Sequence, residues 1–177
     1  MALIEIYHVV ADNYAVDTNT LAIKEGMFVA LNSTAGVRRV TTGDSGKVLG
    51  VAGDTKSTSA AALPGVYPGW QNRVSDSFDE TKASGKLTVY HSGGKFATDQ
   101  FVDSGMTAPG LLLAVSESTG TLTLGTSSGT VKDQATVAML TRAAGVYPSG
   151  VPGTDLNGDM ALRGDNSSKF IEFKLLV

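Results

Sequence analysis

The 177 residues carry 14 basic and 17 acidic side chains, a net charge of −3, and no cysteine. That balance excludes the clustered Lys/Arg footprint a phosphate backbone needs, and with it disulfide frameworks and thiolate metal sites. Glycine is the compositional excess, at 21 residues against an average usage of about 7%. The hydrophobic fraction of 42% is enough to build a core, so disorder is excluded too. Gly/Ser/Thr punctuation between short Val/Leu/Phe runs predicts many turns joining short strands, hence an all-β sandwich or barrel with little helix.

The chain opens with MALIEIYHVV, an apolar strand-former over 2–10. Alternation puts Ile4, Ile6, His8 and Val10 on one face, and Leu3, Glu5, Tyr7 and Val9 on the other. Two readings stay open. The segment is either an edge strand of the protein's own sheet or an arm that adds a strand to a partner, its Ile4/Ile6 face filling a groove. The opening lacks a basic leader, and the longest apolar run, 111–115, is far too short to span a bilayer. The expectation is a soluble protein made in the cytosol, with neither a membrane nor nucleic acid as partner.

Beyond residue 20 the chain repeats itself. GMFVALNSTAG (26–36) aligns without gaps on GLLLAVSESTG (110–120), and VRRVTT and TLTLGT follow in the same register. GVYPGW (65–70) is matched by GVYPSG (145–150). Two matches in the same order, with offsets of 84 and 80 residues, predict duplicated hairpin units at 24–70 and 108–150, with 71–107 inserted between them. GKLTVYHSGGKFAT (85–98) reads as a weaker third copy: strand, glycine turn, strand. The division is therefore an N-terminal strand or arm at 1–20 and one β domain over 21–177. Residues 133–145 fit a helix or a strand equally well, and 77–80 have capping-box spacing. After a polar loop from 151, KFIEFKLLV predicts a last strand with Ile171, Phe173, Leu175 and Val177 on one side and Phe170, Glu172, Lys174 and Leu176 on the other.

Several short motifs invite chemistry. GDSG (43–46) is the tetrapeptide around a trypsin-like serine. That mechanism needs a histidine base and a buried aspartate, which precede the serine in that family. Here only His8 lies upstream of Ser45, and Lys47 and Val48 stand where Gly-Pro would follow. Asp-Ser-Gly is ordinary turn chemistry. The same stretch fails as a phosphate loop, with Thr41 in place of the first glycine and Val48 in place of the hydroxyl residue. DLNGD (155–159) spaces Asp155, Asn157 and Asp159 like a calcium loop, yet Met160 and Asn166 stand where Gly and a bidentate Glu belong. Asp76, Asp79 and Glu80 read as a solvated loop, RGD (163–165) as a turn, and His8 and His91 make no zinc site. Trp70 reads as a core or interface anchor. No catalytic, cofactor or metal residue is assigned; the candidate interface is Ile4, Ile6, His8, Val10 and Trp70.

Two passages, 24–53 and 85–124, resemble structural proteins of tailed bacteriophages, in particular the head decoration, or cement, proteins. The resemblance rests on a G-x-F-V-x-L strand at 26–31, L-G-V-A at 49–52, T-D-Q-F at 98–101 leading to P-G-x-L-L at 109–113, and an apolar last strand. It implies a β-rich, non-enzymatic protein on the outer surface of the virion. Such a protein is made in the host cytoplasm, bridges neighbouring subunits of the major capsid protein and often forms homotrimers. A head fibre, tail or receptor-binding component is the alternative, and a virion-associated hydrolase a third.

Overall fold

Apolar residues at alternate positions, broken by glycine turns, favour strands. The computed structural model describes residues 3–5, 9–17, 19–32, 36–41, 44, 48–56, 81, 84–102, 105–125, 136–146 and 169–177, and no helix occurs among them. One sheet contains β2 (Val9–Ala15), β3 (Phe28–Asn32), β4 (Gly36–Arg39), β5 (Val48–Ala52) and β6 (Lys86–Gly93), in the order β2-β6-β5-β3-β4. The other contains β1 (Leu3–Glu5), β7 (Lys95–Thr98), β8 (Leu112–Val115), β9 (Leu122–Leu124), β10 (Ala138–Val146) and β11 (Lys169–Leu175), in the order β1-β7-β11-β10-β8-β9. Every ladder is antiparallel.

With β1 set aside, the two sheets have one topology. Strands β2 to β6 and β7 to β11 are consecutive blocks arranged in the same order. The pairing registers agree residue for residue. Phe28↔Val51 and Val29↔Gly50 match Leu112↔Met139 and Leu113↔Ala138. Val51↔Tyr90 and Ala52↔Val89 match Met139↔Lys174 and Leu140↔Phe173. Asp12↔Val89 and Asn13↔Thr88 match Phe96↔Phe173 and Ala97↔Glu172. The connections repeat as well. Gly26 N–H donates to Ala52 O and Ala52 N–H to Met27 O, just as Gly110 N–H donates to Leu140 O and Leu140 N–H to Leu111 O, all at 2.7–2.8 Å. Gly26 and Gly110 share a positive φ, 88° and 90°. Parallel bridges Val16↔Val37 and Phe101↔Leu122 then curl each sheet toward a partly closed barrel.

Duplication thus reaches further than the hairpins. The repeating unit runs from β2 to β6 and again from β7 to β11, so residues 86–98 are integral strands and not part of an insertion. Nor is 85–98 a hairpin, because β6 and β7 belong to different sheets. The ambiguous 133–145 contributes β10, a strand. The strand expected over 2–10 is two: β1 pairs with β7 (Ile4↔Ala97) and β2 with β6 (Val10↔Ser92). Both pair within the chain, at sheet edges, as in the first of the two readings of this segment.

One apolar cluster fills the space between the sheets. Phe28 and Val51 from the first sheet meet Phe96, Leu113, Ile171 and Phe173 from the second. Ring centroids lie 6.1 Å apart for Phe28–Phe173, 5.7 Å for Phe96–Phe173 and 5.3 Å for Tyr90–Phe96, inside the range where aromatic pairs attract beyond their buried area. The alternation expected of the last strand holds: Ile171, Phe173 and Leu175 are core, with Val177 packed against it. A second cluster, Val29, Val37, Ala52, Leu87 and Val89 roofed by Ile23 and Met27, occupies the far face of the first sheet.

The equivalences show how the sheets stack. Val29, Ala52 and Val89 of the far cluster are the counterparts of Leu113, Leu140 and Phe173, which face the first sheet. If the face bearing these residues is called the front of each sheet, the back of the first sheet lies on the front of the second. The two units are the same way up.

Candidate functional site

Ile4 stands in β1 opposite Ala97 and Val10 in β2 opposite Ser92, in different sheets. Ile6, His8 and Trp70 lie outside the described residues, as do the 155–159 loop, the RGD turn and Asp76, Asp79 and Glu80.

In the GDSG stretch the aspartate, not the serine, has the structural partners. Asp44 is fully buried and accepts from Arg38 Nη2, from Thr41 N at 2.7 Å and from Thr41 Oγ1 at 2.8 Å; its own N–H donates to Thr41 O. Burial by itself would raise this carboxyl, but the Arg38 and Thr41 bonds outweigh it and hold the pKa below the ordinary 3.8. This is a turn locked to β4 by its own acid. Ser45 lies outside the described residues. His91, the only described histidine, has Nε2 2.8 Å from Asp12 Oδ2. Asp44→Ala is expected to cost about 2–3 kcal/mol in a denaturant titration, because Arg38 loses its partner and the loop loses two further bonds. Ser45→Ala is expected to stay within about 0.5 kcal/mol of the parent. Equal losses at the two positions would contradict a turn anchored by Asp44.

A second ionic group lies on the back of the second sheet. Glu172, only 7% exposed, is held by Lys95 Nζ at 2.5 Å and Arg142 Nη1 at 2.9 Å, and so ties β7, β11 and β10 together. Burial pushes its carboxyl up, and the Lys95 and Arg142 bonds more than reverse that, leaving it below 4.5. Both carboxylates therefore titrate lower in the folded chain than in the unfolded one. Their stabilisation is complete above the ordinary values of 3.8 and 4.5 and is lost as pH falls through the lowered ones. Urea midpoints are expected to hold from pH 7 to about 5 and to drop below about 4. Glu172→Gln should show a shallower acid drop, and an unchanged slope would show that Glu172 is not linked to folding.

Exposed large hydrophobic residues mark the remaining surface. Leu31 on the front of the first sheet is 42% exposed and Leu112 on the back of the second 52%. Leu21, in the connection after β2, is 50% exposed. Asp12, in β2, is also on the first front with its side chain 62% exposed, and Lys174, in β11, is exposed on the second back with Met139 of β10 between it and Leu112. None of these was singled out from sequence as a contact residue. The offset of 84 residues was the available signal for Leu31, Leu112 and Asp12, since it assigns them the buried counterparts Val115, Phe28 and Phe96. Among the described residues, no group of three or more His, Asp or Glu side chains is placed to hold a metal ion. Comparison with protein-family models, with curated proteins and with solved structures finds no match to this chain.

Proposed function

We propose that this chain is a structural virion protein that decorates the outer surface of a bacteriophage capsid and stabilises it by bridging major capsid protein subunits. The observation that carries the reading is the resemblance of 24–53 and 85–124 to head decoration proteins, in passages that supply β3, β5, β7 and β8. The architecture suits the task in physical terms. A cement protein draws its binding energy from apolar surface and strand pairing at contacts repeated around a shell. Here two stacked sheets present edge strands β1, β2, β4 and β9 together with exposed Leu21, Leu31 and Leu112.

The test is binding of the purified full chain to expanded capsid shells that lack it, with tails from the same particles as the control. Saturable binding to shells at a fixed ratio to the major capsid protein, together with protection of the shells from heat, is the expected outcome. Association with tails but not heads would favour a tail or receptor-binding component. Binding to neither would overturn both readings.

A further inference from the structure

The two sheets treat equivalent edges differently. In the second, β1 lies along the outer edge of β7, and Phe96, Ala97 and Thr98 have no exposed surface. Their counterparts in β2 are Asp12, Asn13 and Tyr14, and no strand lies beyond these among the described residues. Ala11, Asp12, Asn13 and Ala15 are exposed. Strands β4 and β9 are covered at their outer edges. Asp17 N–H donates to Val37 O and Arg39 N–H to Thr20 Oγ1, both at 2.9 Å, along β4. Leu122 N–H donates to Gln100 O, and Val102 N–H to Leu122 O, along β9. Strand β1 is only three residues long.

The open stretch of β2 is regular and bounded. Val16 N–H donates to Gly85 O at 3.0 Å. Counting back along an antiparallel ladder, Tyr14 and Asp12 turn their backbone groups inward to β6, and Asn13, Ala11 and Val9 turn theirs outward. The bulge at Val10/Ala11 leaves this alternation intact, because its extra residue, His91, belongs to β6. Ala15 also points outward, but Gly36 of β4 packs so closely on its carbonyl oxygen that a Cβ there would lie 2.1 Å away. The edge is open below Ala15 and closed from it onward.

We propose that two copies of this chain pair their β2 strands antiparallel across a two-fold axis at Ala11, joining their five-stranded sheets into one continuous sheet.

The edge itself selects this partner and this register. Its outward residues, Val9, Ala11 and Asn13, are symmetric about Ala11, so a second β2 supplies a donor and an acceptor for each. Ala11 then pairs with Ala11 of the partner subunit, and Val9 with Asn13 of the partner subunit, about six backbone bonds in all. An axis at Asp12 sets two carboxylates directly opposite each other and brings Val9 against the blocked Ala15. An axis at Asn13 runs Val9 and Val10 into β4, which is bridged to Val16. With the axis at Ala11, Asp12 stands opposite Val10 and keeps its 2.8 Å contact with His91 Nε2. The partner strand also clears β4, because the chain before β2 lies in the other sheet, as β1. A two-fold contact of this kind is closed and stops at the dimer. The inference rests on the unequal edges of the two sheets and does not depend on the protein sitting on a shell.

Sedimentation velocity on the full chain over a concentration series is expected to show a monomer–dimer equilibrium. Ala11→Lys and Ala11→Glu, at an exposed position, each set like charges across the axis and should require about fivefold more protein to dimerise. An equimolar mixture of the two should regain the parent's behaviour, the introduced lysine facing the introduced glutamate. Because the chain has no cysteine, single substitutions report the register directly. Ala11→Cys should form a covalent dimer on mild oxidation, its paired Cα atoms lying about 5.5 Å apart. Asn13→Cys should not, since it lies about 14 Å from its symmetry mate. Circular dichroism confirms that each variant is folded. A parent that stays monomeric to its solubility limit overturns the proposal. So does a mixture that fails to recover, or a disulfide that forms at Asn13 in preference to Ala11. Shell binding by the same variants, measured separately, decides the capsid reading on its own terms.

Discussion

Phe173→Ala is expected to lower the stability of the folded chain by about 3–5 kcal/mol, the largest loss for any single truncation in the core. Phe173 has no exposed surface and touches Phe28 across the sheets and Phe96 beside it. Its removal takes away transfer free energy and leaves a cavity that two backbone layers cannot collapse to fill. The same ring pairs with Leu140 on one side and Phe96 on the other, so the loss is felt in three strands. For a chain of this length, the melting temperature should fall by about 2–4 °C per kcal/mol. Val89, its counterpart in the first unit, provides the comparison. Val89→Ala removes fewer atoms from the smaller far cluster and should cost about 1–3 kcal/mol. Equal losses would mean that the inter-sheet core is no more tightly packed than the far cluster.

Gly36→Val is expected to cost at least about 3 kcal/mol, by a different mechanism. Gly36 opens β4 with φ near +99°, where a side chain is strained, and a Cβ there would lie 2.1 Å from the Ala15 carbonyl oxygen. That oxygen belongs to the end of β2, next to the Val16↔Val37 bridge that curls the first sheet. The substitution must therefore push apart the two edge strands that the bridge joins. Gly85 separates strain from space, since its φ is +66° and nothing lies near its missing side chain. Gly85→Ala should show only the conformational cost, about 1–2 kcal/mol. A Gly36→Val protein that melts with Gly85→Ala would show that β2 yields easily at Ala15.

The strand-and-turn class was legible because glycine turns and two-residue alternation are local properties. The core face of the last strand was legible, since Ile171, Phe173 and Leu175 had to be apolar and Glu172 and Lys174 could not share it, although the strand ends at Leu175, two residues short of the expected 177. The repeat was visible only where both units keep similar letters, as at 26–36 and 110–120. It was invisible between KLTVYHSG and FIEFKLLV, which occupy equivalent strands in different surroundings. The front of the first sheet is roofed by a short connection and takes Leu87 and Val89; that of the second faces a whole sheet and takes Ile171 and Phe173. Pairing register was kept while side-chain volume changed. The break between β1 and β2 was missed because 6–8 contains no glycine or proline and the apolar alternation runs on through it. Asp44 was overlooked in favour of Ser45 because burial of an acid in the turn against Arg38 of the preceding β4 leaves no pattern along the chain.

Strand β1 is the exception to the two-unit plan, and this sets an order of events. Each five-stranded unit is complete without it, so every ladder inside a unit can close from its own contiguous stretch of chain. The pairing of Ile4 with Ala97 instead closes a loop that encloses the entire first unit. Among the strand pairings this one encloses the most chain, is repaid by only three register pairs, and comes late in folding. The same imbalance makes β1 the first strand to release under native conditions, ahead of global unfolding. In amide exchange, Leu3–Glu5 and the β7 edge should form one fast-opening group, while β10 and β11 exchange only with the whole. Each opening briefly uncovers a sheet edge that another extended segment can pair with, so the strand acts as a latch whose off-rate governs access to β7.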